Sequence, residues 1–540
     1  MLSKKTYLLA LLSALLLWLG WPPIPFTGAL LLFALVPLLF ALKAIRERNE
    51  RKAGRRVFLH AGLTFLLWNT ASIYWVYNAI SAYNGPIVAL PVSLVPFCLG
   101  PLLLTFAFWL YHQLSHYVNR YVAYAGLICF YIGLEYLQQV WDLSFPWMTL
   151  GNGLAATHQL AQWYEFTGVY GGSLWILLAN ILLFEALQTP AGVPGRRPLW
   201  ICLAAWVLIP AGFSIWRYTS FEGKGTPSNV VVVQPNVDPY QKLGAIPPSQ
   251  QVYLLTRLSD SLGQPNTEFF IWPETAIPNY ADEGTIRTNS EFLQVQSFLS
   301  KYRNGSLITG IESNTHYDTK KTASAYFDPN HGTFRDNFNA AMQVENSPNV
   351  QFYHKSKLVP GVEKMPFPAV FSFLDGVFAQ LGGTVGGWGW QNEPGVFYTQ
   401  SGIGSAPVIC YESLWGDWIG TSVKNGAQFI AIITNDGWWG NTSGKDQHML
   451  YAKLRAIETR RDVARSANTG ISCFINQRGD IVKETAWWTS TAIKSDILLN
   501  DNLTLYVRSG DIIAKLLSLA GIALAFAIPI YKWKNRKQRR

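Results

Sequence analysis

The hydrophobic positions of the chain fall into long continuous runs and short interrupted ones. A helix that spans a membrane needs about 20 mostly apolar residues, and eight runs approach that length. These runs are Thr6–Trp21, Gly28–Leu42, Val57–Tyr77, Ile87–Tyr111, Tyr121–Leu137, Gly168–Leu187, Pro198–Trp216 and Ile512–Tyr531. The pattern therefore predicts a polytopic α-helical membrane domain with eight transmembrane helices.

The segment between the seventh and eighth runs has a different pattern. Six short apolar, strand-like runs begin at Asn229, Glu268, Ser306, Phe338, Ala406 and Ala427. Helix-like stretches lie between them, one from Gln250 and one that extends from Gln447 to Ala467. Strands that alternate with helices indicate an α/β domain. We expect helices one to seven in residues 1–217, an α/β domain in 218–510, and helix eight with a basic tail in 511–540.

The distribution of charge gives this arrangement an orientation. Four clusters of basic residues flank the apolar runs: Lys4 and Lys5, seven residues from Lys43 to Arg56, Arg196 and Arg197, and six residues from Lys532 to Arg540. All four lie on one side if the eight runs alternate, and the positive-inside rule makes that side cytoplasmic. We expect both termini in the cytoplasm and residues 218–510 on the periplasmic side of a bacterial inner membrane.

Composition narrows the class of protein. Charged residues make up 14% of the chain and hydrophobic residues 49%, which excludes a disordered chain, a coiled coil and a collagen-like fibre. The basic excess lies beside the apolar runs, so membrane topology explains it better than nucleic-acid binding does. Five scattered cysteines, with no Cys-x-x-Cys and no zinc-ligand spacing, predict no disulfide framework, no metal and no cofactor.

Three polar residues stand out at the ends of the predicted strands. Glu274 follows one buried strand, Lys355 lies in "FYHKSKLVPGVEKMP", and Cys410 ends "SAPVIC". A carboxylate, an ammonium and a thiol placed together can form a nucleophilic site. Taken singly, each has a simpler interpretation: a lone cysteine usually fills a core, as we expect for Cys473, and a Glu–Lys pair is usually an ion pair.

The combination of motifs resembles the carbon–nitrogen hydrolase, or nitrilase-like, superfamily, which has a Glu–Lys–Cys triad in this chain order. "VICYES" resembles its Cys-Tyr-Glu motif, and "TNDGWWGNTSG" resembles its Asn-Asp-x-Trp-Phe-Gly stretch. The resemblance implies an αββα sandwich. It also implies that Glu363, eight residues after Lys355, assists that lysine, while the nearby Lys357 has no catalytic part.

Two departures from the family pattern are visible. Gly361 and Val362 change the order of residues between the lysine and Glu363, and a tryptophan that is common after the first strand is replaced near Leu243. The second departure affects the expected acyl-chain contacts at that position, not the triad.

A nitrilase-like domain inserted between membrane spans is similar to the arrangement of apolipoprotein N-acyltransferases. That resemblance implies acyl transfer from a membrane phospholipid, through a cysteine thioester, to the N-terminal α-amine of diacylglyceryl-modified apolipoproteins. Glu274 would be the general base, and Lys355 with the backbone N–H of Tyr411 would bind the oxyanion. Glu412 would assist or be structural. Trp147 would border lipid entry or belong to the aromatic belt at the membrane surface.

Two other functions remain open at this point. The first is a membrane-tethered amidase or nitrilase, because hydrolysis and transfer share their first half-reaction. The second is a transporter or receptor with an inactive enzyme-like domain. Few ionisable residues lie within the apolar runs (Glu135, Glu185 and Lys515), and this disfavours ion-coupled transport.

Overall fold

A computed structural model describes residues 2–48, 52–240, 242, 244–367 and 387–538. Within that part of the chain the α-helices are α1 Leu2–Leu19, α2 Val36–Glu47, α3 Ala53–Ile73, α4 Trp75–Asn84, α5 Pro86–Leu114, α6 Arg120–Val140, α7 Tyr164–Gln188, α8 Arg196–Ser220, α9 Pro248–Leu262, α10 Ser290–Leu299, α11 Gly416–Lys424, α12 Ser443–Thr459, α13 Leu505–Ser509 and α14 Ile512–Gln538. The β-strands are β1 Thr226–Gln234, β2 Phe269–Ile271, β3 Ile277–Asp282, β4 Ser306–Tyr317, β5 Tyr326–Asp328, β6 Thr333–Glu345, β7 Val350–His354, β8 Phe397–Tyr398, β9 Gly404–Ile409, β10 Phe429–Thr434, β11 Val463–Ala467, β12 Cys473–Ile475, β13 Ile481–Glu484 and β14 Thr491–Leu499.

The chain divides into two compact units. The helical unit consists of Met1–Ile80, Pro86–Ser220 and Ser509–Arg540, and the sandwich unit consists of Ser81–Gly85 and Phe221–Arg508. Each is described here by itself.

The helical unit contains five helical segments that are long and apolar enough to cross a membrane: Gly28–Glu47, Pro86–Leu114, Tyr164–Gln188, Arg196–Ser220 and Ile512–Asn535. A sixth is reached if Ala53–Ile73 and Trp75–Ala82, which meet at an angle of 53°, form one broken span. The predicted membrane character fits these segments. Helices α1 and α6 contain the remaining two apolar runs but are not among the segments that meet this criterion, so the count of eight spans stays a prediction.

Buried polar side chains in the helical unit bind backbone groups where the helices break. The Asn180 amide accepts a hydrogen bond from the Leu35 N–H at 2.7 Å and donates one to the Leu31 carbonyl at 2.8 Å. Glu135 accepts one from the Leu150 N–H at 2.6 Å. Irregular backbone inside an apolar bundle needs such partners, so Glu135 has a structural contact.

The sandwich unit is built on two sheets. An eight-stranded sheet has the order β14-β1-β2-β4-β6-β5, with β3 paired to β4 and β7 paired to β6, and a six-stranded sheet has the order β13-β12-β11-β10-β9-β8. Strands β1, β2 and β4 run parallel to one another, and so do β9, β10 and β11. The pairs β1–β14, β4–β6, β8–β9 and β11–β12 are antiparallel.

Alternation along the strands explains the layers. In β1, Val230 and Val232 belong to the core between the two sheets, whereas Val231 and Val233 pack on the side of α9 and α10. The outer face of the second sheet packs against α11 and α12 through residues such as Ile430. Strands covered on both faces read as continuous apolar runs. The arrangement is helix, sheet, sheet, helix, and the predicted α/β sandwich is confirmed.

The helix predicted from Gln447 to Ala467 is wrong in its second half. Helix α12 ends at Thr459 because Arg460 adopts a left-handed backbone with φ of 50°. The chain then enters β11, which pairs in parallel with β10. Sheet pairing therefore overrides the helical pattern of the preceding residues.

Candidate active site

Cys410 is presented by a sharp turn at the end of a buried strand. All six residues of β9 are buried, and the strand pairs in parallel with β10. Cys410 follows with a left-handed backbone, φ of 50°, and begins the 3₁₀ turn Cys410–Leu414. A non-glycine residue in that conformation is uncommon and costs about 1 kcal/mol or more. The turn lifts the thiol out of the sheet.

Lys355 lies between two carboxylates. It follows β7, is 1% exposed, and its Nζ donates to Glu274 Oε1 at 3.1 Å and to Glu363 Oε1 at 2.7 Å. Glu363 Oε2 accepts a hydrogen bond from the Val359 N–H at 2.8 Å. The loop after β7 therefore folds back so that both carboxylates bind the ammonium.

The charges of this group act on the thiol. Burial by itself would lower the pKa of Lys355, but Glu274, Glu363 and Cys410 raise it well above its ordinary value, so the lysine is an ammonium. Burial and then Glu274 raise the pKa of the Cys410 thiol, and Lys355 lowers it only in part. Cys410 is thus a neutral thiol that interacts electrostatically with the Glu274 carboxylate and the Lys355 ammonium.

Comparisons with known proteins identify the family of the chain. A family model described as the apolipoprotein N-acyltransferase N-terminal domain matches residues 13–182, and the carbon-nitrogen hydrolase model matches residues 233–502. An apolipoprotein N-acyltransferase of Chlorobaculum tepidum is 30% identical, with 98% of this chain and 97% of the relative covered. The chain belongs to the apolipoprotein N-acyltransferase family.

Further relatives have the same description. An apolipoprotein N-acyltransferase of Geobacter metallireducens is 28% identical over 98% of this chain and 96% of its own length. Among solved structures, an amidase from Nesterenkonia sp. is similar over 54% of this chain and 96% of its own, at 12% identity and a TM-score of 0.35.

Asn339 is a polar residue of the candidate site that the sequence did not indicate. It lies in β6, and its Nδ2 donates to Glu274 Oε1 at 2.8 Å and to Glu363 Oε1 at 3.2 Å. The Lys242 ammonium donates to the backbone carbonyl of Glu274 at 2.8 Å. Together these contacts fix the orientation of both carboxylates. Asparagine in a strand-like run gave no signal that distinguished it from an ordinary surface residue.

Glu412 joins the turn Cys410–Leu414, which we term the nucleophile turn, to the loop from Lys355 to Glu363, which we term the lysine loop. Its Oε1 accepts hydrogen bonds from the Ser356 N–H at 2.6 Å and the Tyr353 hydroxyl at 2.8 Å, and its Oε2 accepts one from the Ile409 N–H at 2.8 Å. The side chain is fully buried. Of the two interpretations left open by the sequence, these contacts favour the structural one. Tyr411 is buried, and its ring packs edge-on against Trp415 at 4.9 Å.

A buried ionic network supports the turn from beneath. His448 Nε2 lies 3.1 Å from the Cys410 carbonyl oxygen and 2.8 Å from Ser413 Oγ. Its Nδ1 lies 2.9 Å from Asp436 Oδ1, and Arg465 donates to Asp436 Oδ2 at 2.7 Å. Burial alone would raise the pKa of Asp436, but Arg465 and His448 hold it well below its usual range. The sequence motifs contained these residues without indicating that they meet.

Glu312 is a further buried carboxyl beside the candidate site. Glu312 in β4 is directly opposite Asn339 in β6 and is 5% exposed. Burial raises the pKa of Glu312 to about 7, which Lys242 opposes and Glu274 reinforces. Burial also lowers the pKa of Lys242 to about 8, although Glu274 and Glu312 counteract it. Neither residue was singled out in the sequence.

Three further residues that the sequence brought into consideration, Lys357, Cys473 and Trp147, have contacts of their own. Lys357 Nζ lies 3.9 Å from the centre of the Trp418 ring, and burial lowers its pKa. Cys473 is buried in the core that packs against α12. Trp147 is 1% exposed in the helical unit, with its ring centre 4.7 Å from that of Trp75. The departure at Leu243 lies outside the described residues.

Possible metal ligands meet at one place in the described part of the sandwich unit. Each of His316, Asp328 and His331 has a ligand atom within 4.8 Å of those of the other two. The sequence predicted no metal because it has no Cys-x-x-Cys and no zinc-ligand spacing.

Proposed function

We propose that this chain transfers an acyl chain from a membrane phospholipid, through a thioester on Cys410, to the N-terminal α-amine of a diacylglyceryl-cysteine apolipoprotein. The observation that carries the proposal is the buried Lys355, bound by Glu274 and Glu363 and coupled electrostatically to Cys410. Membership of the apolipoprotein N-acyltransferase family supplies the substrate classes.

The first half-reaction begins from the neutral thiol. Glu274 takes the proton of Cys410 as the sulfur attacks the phospholipid ester carbonyl, so that charge on sulfur does not accumulate in a buried site. The tetrahedral intermediate collapses when the ester C–O bond breaks. The glycerol oxygen leaves with the proton that Glu274 holds, and the acyl group remains on sulfur as a thioester.

The oxyanion of that intermediate is assigned to two donors. The Lys355 ammonium is one, because its raised pKa keeps it charged throughout the reaction. The backbone N–H of Tyr411, the residue that follows the nucleophile, is the other. Donors already in place when charge develops give the largest single contribution in many acyl transfers.

In the second half-reaction the thioester is the acyl donor and the lipoprotein amine is the acceptor. The acceptor enters as an amine, attacks the thioester carbonyl, and loses a proton to Glu274. The C–S bond breaks, the sulfur regains a proton from Glu274, and an amide is formed. Glu274 therefore accepts one proton and returns one in each half-reaction, and the thioester intermediate between the two half-reactions predicts ping-pong kinetics.

The supporting residues position these groups. Glu363 holds Lys355 through a 2.7 Å ion pair, and Asn339 binds both carboxylates. Glu412 fixes the distance between the nucleophile turn and the lysine loop through its four backbone and hydroxyl donors. Trp147, buried beside Trp75, is proposed to border the route of the lipid chain.

The test of the reaction is intact-mass analysis of the purified chain after incubation with phospholipid. We expect an added acyl mass that hydroxylamine removes. Addition of a diacylglyceryl lipopeptide should discharge the acyl group onto the peptide. Discharge to water at the same rate without the peptide would favour the membrane-tethered amidase, and no acyl mass at all would favour the inactive enzyme-like domain.

We also propose the orientation that this reaction requires, with eight spans, residues 218–510 in the periplasm, and both termini in the cytoplasm. Four basic clusters on one side support it. A reporter that is active only in the periplasm should be active when inserted near Asn330 and silent when fused after Arg540. The reverse pattern would make acylation of exported lipoproteins untenable.

A further inference from the structure

Strands β4, β5 and β6 bring two imidazoles and a carboxylate together outside the proposed acyl-transfer site. His316 lies in β4, Asp328 ends β5, and His331 lies in the turn that leads into β6. A ligand atom of each lies within 4.8 Å of those of the other two. We propose that these three residues bind a divalent transition-metal ion and that zinc(II) is the ion that the donor set favours.

Strand pairing explains why the three residues meet. Strand β6 pairs antiparallel with both β4 and β5, so that His316 is opposite Arg335 and Asp328 is opposite Thr333. Asp328 and His331 are three positions apart in the chain, and the turn between β5 and β6 brings their side chains into contact at 2.9 Å. A metal ion would therefore bind a backbone framework that the sheet already holds in place.

The imidazole of His316 is oriented for binding. Its Nδ1 lies 2.9 Å from Thr333 Oγ1. When Nδ1 donates to that hydroxyl, the lone pair of Nε2 is left to bind a metal. Metal-binding histidines in proteins usually have such a partner on the other ring nitrogen, because it fixes the tautomer and the ring orientation.

The contacts of the Asp328 carboxylate are ones that a cation could share or replace. Its Oδ1 accepts the Asn330 N–H at 2.9 Å, its Oδ2 contacts the His331 Nδ1 at 2.9 Å, and the Arg335 guanidinium is 3.9 Å from Oδ2. Arg335 is also held by Asn337 Oδ1 at 2.9 Å and lies over the Tyr280 ring. A bound dication would replace the weak ion pair and the imidazole contact without moving the arginine.

The exposure of the three side chains favours entry of an ion. The Asp328 side chain is 8% exposed, and His331 is 61% exposed. The buried carboxylate gives a fixed anchor, and the exposed imidazole closes onto the ion from the solvent side. Three protein ligands leave a fourth tetrahedral position for water. Because the ion would join β4 to the β5–β6 turn, it would stabilise this hairpin rather than take part in acyl transfer.

The experiment uses the full chain in detergent, purified with an affinity tag that contains no histidine. After treatment with EDTA, zinc(II) is titrated by calorimetry, and cobalt(II) is added separately to record its visible absorption. We expect one equivalent of zinc with saturable binding. His331→Ala should weaken that binding at least tenfold, and Asp328→Asn should weaken it as well.

Two controls keep the result interpretable. His331 is exposed, so His331→Ala tests the ligand without opening the core, and acyl-enzyme formation should be unchanged. His354→Ala removes a histidine of the same unit outside the cluster and should leave zinc binding unchanged. Wild type that binds no stoichiometric zinc, or binds it equally after His331→Ala and Asp328→Asn, would overturn the proposal, whether or not acyl transfer is observed.

Discussion

The two cysteines of the sandwich unit belong to the same sheet region and differ in what surrounds them. Cys473 lies in β12, is fully buried, and packs in the core beside α12. Cys410 follows β9 with φ of 50° and lies in the field of Glu274, Lys355 and Asp436. Burial raises the pKa of both thiols, that of Cys473 to about 12.

The comparison shows that thiol acidity does not identify the nucleophile here. A lowered pKa is the common sign of a reactive cysteine, and neither residue has one. What distinguishes Cys410 is a left-handed backbone at the start of a turn and the nearby charges of Glu274 and Lys355. The proposed reaction therefore relies on Glu274 to take the proton of a neutral thiol, not on a stored thiolate.

The largest expected difference between the two cysteines is in acyl-enzyme formation. Cys410→Ala should abolish the hydroxylamine-labile acyl mass, because the atom that carries the acyl group is removed. Cys473→Ala should retain it, since that side chain only fills a core. Intact-mass analysis of both variants measures this. Equal loss in two variants that are both folded would refute the assignment of Cys410.

The two lysines of one loop give the next largest difference. Lys355→Ala should lower the rate of acyl-enzyme formation by roughly a hundredfold or more, as loss of an oxyanion donor does. Lys357→Ala should cost little, because its ammonium lies over the Trp418 ring. Single-turnover rates measure both. If Lys357 were the essential residue, Glu363 would lose its proposed role.

The carboxylates near each cysteine differ in their effect on stability. Glu412→Gln should lower the free energy of unfolding by about 2–3 kcal/mol, because an amide group would face backbone donors in a buried site. Glu484 in β13, opposite Cys473, is exposed, and Glu484→Gln should change it by less than about 0.5 kcal/mol. Thermal unfolding of the two variants tests this, and similar values would contradict the structural role of Glu412.

The smallest expected effect is a change in pH dependence at Glu312. Its pKa is about 7 in the folded chain and 4.5 ordinarily, so the folded chain holds a proton that the unfolded chain releases. Stability therefore falls as pH rises through this window. In Glu312→Gln the apparent Tm should fall less between about pH 5 and pH 7. An unchanged pH profile would show that Glu312 does not titrate there.

The sequence predicted the layered fold because continuous apolar runs in β1, β4, β9 and β10 have few alternatives to strands covered on both faces. It failed where tertiary pairing decides the local structure. Helix α12 was extended through β11, since nothing local signals the left-handed Arg460 that ends the helix. Short strands such as β5 and β8 have too few residues to show alternation.

The candidate site was likewise predicted only in part from the sequence. Glu274, Lys355 and Cys410 follow recognisable strands and motifs, and the structure brings the charges of all three together. Asn339 and Glu312 were missed because they become neighbours only through the register of β4 and β6. The proposed metal-ligand cluster was missed because His316 reaches Asp328 and His331 only through the pairing of β4 and β5 with β6.

The left-handed backbone of Cys410 has a consequence for how such a chain can change over generations. At φ of 50° glycine is the residue without strain, so the fold accommodates the proposed nucleophile at a cost of about 1 kcal/mol. If Cys410 carries the acyl group, selection for acyl transfer must oppose that cost continuously. In a duplicated copy freed from this duty, we expect position 410 to drift toward glycine and the copy to gain thermal stability as its chemistry is lost.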